Sequence, residues 1–550
     1  MSPPEPHHLA LFSLVPLNER AERVLAHLSN QHLVSQVKDG RLGLNIGHVR
    51  SMSRDNATLA TLGRNGDVTV DSCSISKIQC SFEIDPDTKV IMFYDRSHGQ
   101  TSQVSGDNAT PFEYGRPRKA VVQNNVNTII GMGGTRRNLI QFQLIWHCNP
   151  RNTMERVKDR ERRILAENPR LARTIDEADT VLPSQRETRI TTSGPQRLKT
   201  RYDKGERLGS GAFGLVHQAL DLDTGKLMAV KIIRRPAGPM QQEWVNLKRE
   251  VQILSRLKHT HIVEYISSQG WDGPEVEIFM GLKEGTLHSL ILSLPSADFH
   301  DLATTVLHHM LKAIDCLAMN DIIHRDIKPE NILYVSGQDR PHFQLGDFGF
   351  SKQAHFATSE VGSPIYMAPE MKQRVKQTHK ADVWSLFVTI LWTLNVNGFR
   401  EELDRQDTLE DARSIMLAAA AAPMMNNIRE MIIVNPEERA SAAQMLVKCF
   451  QGEGLSTPQN QIPPLIAPAE TDSAAPAAAV HGSSAAQPRA WRRNTNQYPA
   501  AGIENARARL RPLNGPRNRR RQALGPNYSV NRAIPGSFPS DATDTSPSKE

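Results

Sequence analysis

Three glycines, Gly209, Gly211 and Gly214, stand at GxGxxG spacing and are followed by Val216 and then by Ala229-Val230-Lys231. Glycines so spaced let a backbone approach a phosphate closely. A dinucleotide site would lead straight from such glycines into a helix, whereas here strand-like residues follow, so the context selects a cover for nucleotide phosphates. Downstream come His324-Arg325-Asp326 with Lys328 and Asn331, then Asp347-Phe348-Gly349, then Ala368-Pro369-Glu370, in that order. Carboxylate, carboxamide and lysine groups are the oxygen ligands and countercharges that chemistry on a nucleotide's phosphates requires.

Taken together, these ordered segments resemble the eukaryotic protein-kinase family over roughly Tyr202 to Phe450. In phosphoryl transfer, charge spreads over the γ-phosphoryl oxygens, so catalysis is mainly positioning plus countercharge. The resemblance implies that Lys231 holds the α/β-phosphates of ATP, oriented by Glu250 in the helix-patterned LKREVQIL segment. It implies further that Asp347 and Asn331 carry Mg²⁺, that Asp326 accepts or orients the substrate hydroxyl proton, and that Lys328 contacts the transferred group, as in the serine/threonine branch. ATP would be enclosed by Leu208, Gly209, Ser210, Gly211, Ala212, Phe213, Gly214, Val216, Ala229, Met280 and Leu282. Arg325 would meet a phosphate on the activation loop, where Thr358 and Ser359 are the candidate acceptors and Ser363 belongs to a substrate-docking segment.

Some positions depart from the family pattern. The hinge after Met280 reads Gly281-Leu282-Lys283, and Phe387 replaces the usual glycine after Asp382-Val383-Trp384-Ser385-Leu386. The chain between this segment and Arg439, the expected partner of Glu370, is short, so the substrate-side helices should be shortened or rearranged. A pseudokinase scaffold is the rival reading that these departures support.

Ahead of the kinase-like region, short alternating or β-branched runs (LATL, DVTV, KVIMFY, NTII, IQFQLIW) separated by turn clusters predict an all-β sandwich. It resembles the eleven-stranded FHA (forkhead-associated) fold, which reads phosphothreonine through loop donors. Gly47 opens the Gly-Arg position, Ser76 and Lys77 fall in the Ser-Arg-x-x-His-like stretch, and Asp95 to Thr101 echoes Asp-x-Ser-x-Asn-Gly-Thr. By that likeness Ser76, Lys77 and Thr101 would meet phosphopeptide. However, His48, Gln79 and Gly99 stand where the family has arginine, histidine and asparagine. An FHA-like module ahead of a serine/threonine kinase is the arrangement of checkpoint kinases, which implies phosphothreonine-containing partners, pairing of two chains on activation and a nuclear setting, with the cytoplasm as the alternative.

These elements must be organised within 550 residues, enough for roughly three or four units at about 150 residues each. The expected fold is multidomain: an FHA-like sandwich in 1–150 with its core at about 42–147, a charged helical connector and linker in 151–200, a bilobal α+β kinase fold in 201–450, and a disordered basic tail in 451–550. The tail is rich in Ala, Pro, Ser, Gln and Asn and then in arginine, too poor in apolar surface to offset its ordering entropy. Its Arg517 to Arg521 run supports a third reading, a nucleic-acid-associated protein, but aromatic residues for base stacking are sparse and a nucleic-acid partner is not expected. The net charge of +7 is mild, and the five cysteines are scattered without zinc-site spacing, which fits a reducing compartment. No segment reads as a membrane span, and the apolar Leu9 to Pro16 stretch is too short for one.

Overall fold

The computed structural model describes residues 4–53, 57–148, 155–156, 198–211, 214–235, 241–294, 299–338, 340–348, 352–353, 364–372, 377–405 and 408–465. The connector and linker expected in 151–200 lie almost wholly outside these residues. So does the tail from 466 onward.

Eleven described strands form the N-terminal region: β1 (Phe12–Pro16), β2 (Val34–Gln36), β3 (Leu42–Ile46), β4 (Thr58–Gly63), β5 (Val68–Thr69), β6 (Cys80–Ile84), β7 (Ile91–Asp95), β8 (Ser102–Ser105), β9 (Lys119–Val121), β10 (Ile129–Met132) and β11 (Ile140–Trp146). They lie in a six-stranded sheet ordered β2-β3-β1-β11-β10-β8 and a five-stranded sheet ordered β5-β4-β6-β7-β9. Inward residues of both sheets, among them Leu14, Phe142, Phe82 and Phe93, share one apolar core. The sandwich reaches back to Phe12 rather than starting near Leu42. β1 is inserted between β3 and β11, where both its edges are paired, and four of its five residues are buried. A central strand of that kind reads as a continuous apolar run with no alternation to reveal it.

The second region opens with an antiparallel sheet of β12 (Tyr202–Gly211), β13 (Gly214–Asp221), β14 (Leu227–Arg234), β15 (Tyr265–Gln269) and β16 (Glu275–Gly281), ordered β12-β13-β14-β16-β15. The helix Gln241–Leu254 interrupts it between β14 and β15. A helical lobe follows, built around the helices His300–Met319 and Lys380–Leu394, both almost entirely apolar where they meet. Between the second of these and Arg439 the described residues form the short helices Phe399–Asp404 and Leu409–Ala420 and the 3-10 stretches Val396–Gly398 and Pro423–Ile432. Among the described residues no helix is long and apolar enough to cross a membrane.

Order continues past Phe450, contrary to the expectation of a disordered chain from residue 451. The backbone N–H groups of Ser456 and Thr457 and the Thr457 hydroxyl donate to the Asp315 carboxylate at 2.7, 2.9 and 2.6 Å. Gln444 donates to the carbonyls of Pro463 and Pro464, and Leu455 and Leu465 pack on the core. Composition alone missed this because Asp315 is buried at 1% exposure and needs donors, which a polar segment supplies.

The sandwich and the kinase-like sheet are joined. Val121 of β9 donates its N–H to the Leu222 carbonyl at 2.9 Å, and Met92, Val121 and Val126 pack with Leu220 and Leu222. Beside this apolar contact Asp223 is gripped by two arginines: Arg116 from the sandwich, at 2.7 Å, and Arg201, whose other nitrogen donates to the Pro111 carbonyl at 2.8 Å. Arg116 and Asp223 side chains are 8% and 9% exposed, so the carboxylate balances a largely desolvated guanidinium. Arg116 Nε also meets the half-exposed Glu113 carboxylate at 2.8 Å, so replacing Asp223 by Ala removes the more buried of its two counter-charges and should cost about 1.5–3 kcal/mol. Thermal denaturation should show a lowered midpoint, and limited proteolysis should show faster cleavage near residues 116–201.

Candidate active site

Strand register assembles the upper wall. Val216 lies opposite Lys231, Lys231 opposite Ile278, and Ala229 opposite Met280, so Val216, Ala229, Lys231, Ile278 and Met280 share one face of the sheet. The alternate residues Ala219, Met228, Val230 and Phe279 fill the small core on the other face. At Gly214 (φ +149) an added Cβ would fall 2.1 Å from the Ile232 carbonyl oxygen, so the turn between β12 and β13 requires glycine. At Gly209 it would meet nothing within 4 Å among the described residues. The protein's own packing therefore does not demand glycine there, and the space above the backbone is open to a ligand. Leu208 is exposed beside it, and Leu282 follows the end of β16.

The lower wall is held by a buried carboxylate. Asp382, at 0% exposure, accepts the backbone N–H groups of His324 and Arg325 at 2.8 Å each. Burial pushes its carboxyl up, while His324, Arg325 and these two donors oppose the shift. The bonds fix Arg325 in a left-handed conformation (φ +73), one that costs free energy for a side-chain-bearing residue unless its surroundings enforce it. His324 Nε2 reaches the Gly346 carbonyl at 2.9 Å, which ties this loop to the strand leading to Asp347.

Asp326, Lys328 and Asn331 follow from that frame. Lys328 Nζ is 2.8 Å from Asp326 Oδ2, and Asn331 Nδ2 donates to the Asp326 carbonyl and carboxylate at 2.7 and 2.9 Å. The Asn331 amide nitrogen is thereby committed to Asp326, which leaves its oxygen as the atom a hard cation takes. Asp347, itself left-handed at φ +51, pairs with Lys231, which is only 6% exposed. Lys231, Glu250, Asp347 and Phe348 line one cavity with Met280, and the charges of Asp382 and Glu250 both act on Arg325, whose guanidinium burial pushes down. The structure thus brings together Lys231, Glu250, Asp326, Lys328, Asn331 and Asp347. Ala212, Phe213, Thr358, Ser359 and Ser363 lie outside the described residues. Ser210 and Gly211 lie at the end of β12.

Residues 202–451 match the protein kinase domain family. Those residues form a protein kinase domain. The chain is 31% identical over 286 residues to the serine/threonine-protein kinase DCLK1 of Rattus norvegicus, across 50% of this chain and 64% of that protein. It is 36% identical over 192 residues to the serine/threonine-protein kinase fused of Drosophila melanogaster, across 34% and 23%. To the human serine/threonine-protein kinase D2 it is 32% identical over 241 residues, across 41% and 27%. The chain therefore spans between about a quarter and just under two thirds of these relatives. A kinase domain uses ATP and Mg²⁺. The oxygen donors of Asp347 and Asn331, with Lys231 as countercharge, suit a Mg²⁺-bound triphosphate.

Two anchors of the kinase domain carry more than the sequence discloses. Arg439, at 0% exposure, clasps Glu370 with bonds of 2.6 and 3.0 Å and donates to the Ile433, Val434 and Lys380 carbonyls. This is the pair that the family resemblance implied. The role of Asp382 was missed, although Asp382-Val383-Trp384-Ser385 was visible, because a side chain that accepts backbone N–H groups leaves no spacing signature. Arg439→Met removes one partner of a fully buried pair and should cost about 3–5 kcal/mol. Thermal denaturation of the purified variant should show a fall of roughly 6 °C or more.

In the sandwich, Gln79 supplies an anchor. It accepts the Ser76 N–H at 3.0 Å and donates to the Thr101 and Ser102 hydroxyls at 2.8 and 2.9 Å. Ser76 and Thr101 are thereby brought to one end of the sandwich, and Lys77 beside them is exposed. Sequence comparison treats Gln79 only as a lost histidine. Its amide has both the donor and the acceptor that this junction uses.

Proposed function

We propose that this protein is a serine/threonine kinase that transfers the γ-phosphoryl group of ATP to protein hydroxyls, with the N-terminal sandwich acting as an FHA-like module that recruits partners. The observation that carries the first part is the convergence of Lys231, Asp326, Lys328, Asn331 and Asp347 around one cleft, each held by a named partner. Mg²⁺, when bound, neutralises phosphate charge and orients the γ-phosphoryl group. Asp326 Oδ2 orients the incoming hydroxyl and receives its proton. Lys328, already 2.8 Å from that carboxylate, supplies positive charge beside the transferred group. Lys231 moves between Asp347 and the nucleotide phosphates as ATP enters.

The second part is supported by the eleven strands in sheets of six and five and by the Gln79 junction that gathers Ser76 and Thr101. Ser76, Lys77 and Thr101 offer hydroxyl, amide and ammonium donors of the type a phosphothreonine requires. In checkpoint-like signalling in the nucleus, such a module would bring two chains together so that one phosphorylates the other at Thr358 or Ser359. Tethering raises local concentration without altering the active site.

Transfer of radiolabelled γ-phosphate to a serine/threonine peptide library in the presence of Mg²⁺ tests the catalytic reading. Label should appear with the unaltered chain and fall roughly 10²–10⁴-fold in Asp326→Ala with ATP binding retained. Absence of label even after treatment with an activating kinase would overturn it in favour of a scaffold. For the sandwich, a phosphothreonine peptide library should be retained by the unaltered chain and released by Ser76→Ala with Lys77→Ala, at a cost of about 1.5–3 kcal/mol per lost charged hydrogen bond. Equal retention of unphosphorylated peptides would refute phosphate recognition.

A further inference from the structure

Three histidines distant in sequence meet within the kinase domain, where the transfer chemistry uses none of them. His261 lies in the loop between the helix Gln241–Leu254 and β15, His309 is midway along the helix His300–Met319, and His342 opens the strand His342–Leu345. One ring nitrogen of each lies within 4.8 Å of those of the other two. The ring centroids are separated by 4.1 Å (His261 and His309), 4.7 Å (His261 and His342) and 5.2 Å (His309 and His342). Among the described residues it is the one group of three or more histidine, cysteine or carboxylate side chains with such spacing.

The hydrogen bonds at the rim fix which nitrogens are free for a ligand. His261 Nδ1 lies 3.1 Å from the Phe343 carbonyl, and His342 Nε2 lies 2.9 Å from the Thr260 carbonyl. A carbonyl oxygen only accepts, so these two nitrogens carry the ring protons. A neutral imidazole has a single N–H, which leaves lone pairs on His261 Nε2 and His342 Nδ1. Metal-binding histidines are oriented in this way, with the far N–H bonded to a carbonyl. His309 Nδ1 accepts the Phe343 N–H at 3.3 Å. On cation binding at His309 Nε2 the ring proton passes to Nδ1, and that long contact opens.

Gln344, on the same face of its strand as His342, donates to the same Thr260 carbonyl at 2.7 Å. Its Oε1 is buried with no hydrogen-bond partner among the described residues. A metal-bound water is a donor of the kind this oxygen lacks. Apolar side chains would fill the space without burying any ring nitrogen.

We propose that His261, His309 and His342 form a binding site for a divalent transition-metal cation of the zinc class, with water completing the coordination. Imidazole nitrogen suits Zn²⁺, whereas Mg²⁺ takes oxygen ligands. The cation clamps three elements beneath the cleft. Leu345 donates to the His261 carbonyl and Val263 to the Leu345 carbonyl, both at 2.9 Å, and Asp347 follows two residues after Leu345. The metal thus fixes the loop that follows the Glu250-bearing helix to the strand that delivers Asp347.

The test uses the full chain, stripped with a chelator and dialysed into metal-free buffer. Titration with Zn²⁺ against a chromophoric competitor should reveal one tight equivalent, Co²⁺ should give visible absorption bands that Zn²⁺ abolishes, and saturating Zn²⁺ should raise the thermal midpoint by roughly 5 °C. Mg²⁺ should do none of these. His309→Gln and His342→Gln should each weaken the equivalent by more than the roughly 10–100-fold that loss of an outer partner costs a metal site. In the unaltered protein, mass mapping of histidine carbethoxylation should show His309 and His342 protected by Zn²⁺, a readout that does not depend on the variants folding. Lack of a competing equivalent, or binding that survives both variants with His309 and His342 equally reactive, would overturn the proposal.

Discussion

A single buried carboxylate organises the catalytic loop. Asp382 is removed from water at the start of an apolar helix, and its charge is tolerable only because two backbone N–H groups, those of His324 and Arg325, are aimed at it. Those two bonds hold Arg325 at positive φ, and this turn sets where the next residues go: Asp326 into the cleft, Lys328 back against it, Asn331 across its carbonyl. His324 extends the frame to Gly346, one residue before Asp347. The groups that handle charge are therefore fixed by a residue that does not touch the reacting atoms.

The same physics recurs at each junction of the chain. Arg439 with Glu370, Asp223 with Arg116 and Arg201, and Asp315 with Ser456 and Thr457 are charges withdrawn from solvent and answered by directed donors or acceptors. Each joins segments far apart in sequence: two parts of the helical lobe, the sandwich to the kinase sheet, and the end of the described chain to the helix His300–Met319. A buried charge is costly when its partner is lost, so such contacts specify a single arrangement even where their net contribution is small. The apolar cores drive each region together. The buried ion pairs set the register between them.

The kinase fold and its cleft were legible because their residues stand in local motifs of fixed order. The strand-turn-strand run from Tyr202, the loop from His324 and the Asp347 segment all declare themselves through spacing, and the Glu370 partner could be anticipated at Arg439 from the family resemblance. The sandwich was legible from alternation in β11 and from short apolar runs such as β7 set between turn clusters, but not in β1, which is paired on both edges and reads only as apolar. What stayed hidden depends on contacts between distant residues. Gln79 looks like a lost histidine until its bonds to Ser76 and Thr101 are seen, and the polar stretch after Phe450 looks unable to fold until Asp315 is seen to require it. Likewise, the meeting of His261, His309 and His342 has no signature in a chain where they are separated by 48 and 33 residues.

Steady-state kinetics of Asp382→Asn tests the organising role of that carboxylate most directly. Asparagine keeps the size but turns an amide donor toward one of the two N–H groups, so the loop can no longer be held from both sides. The expected result is a fall in kcat of about 10²-fold, the cost of an ångström-scale misplacement of reacting groups, with KM for ATP changed little because Lys231 and the glycine-rich strands are untouched. A folded variant with unaltered kcat would show that the catalytic loop is positioned by something other than Asp382.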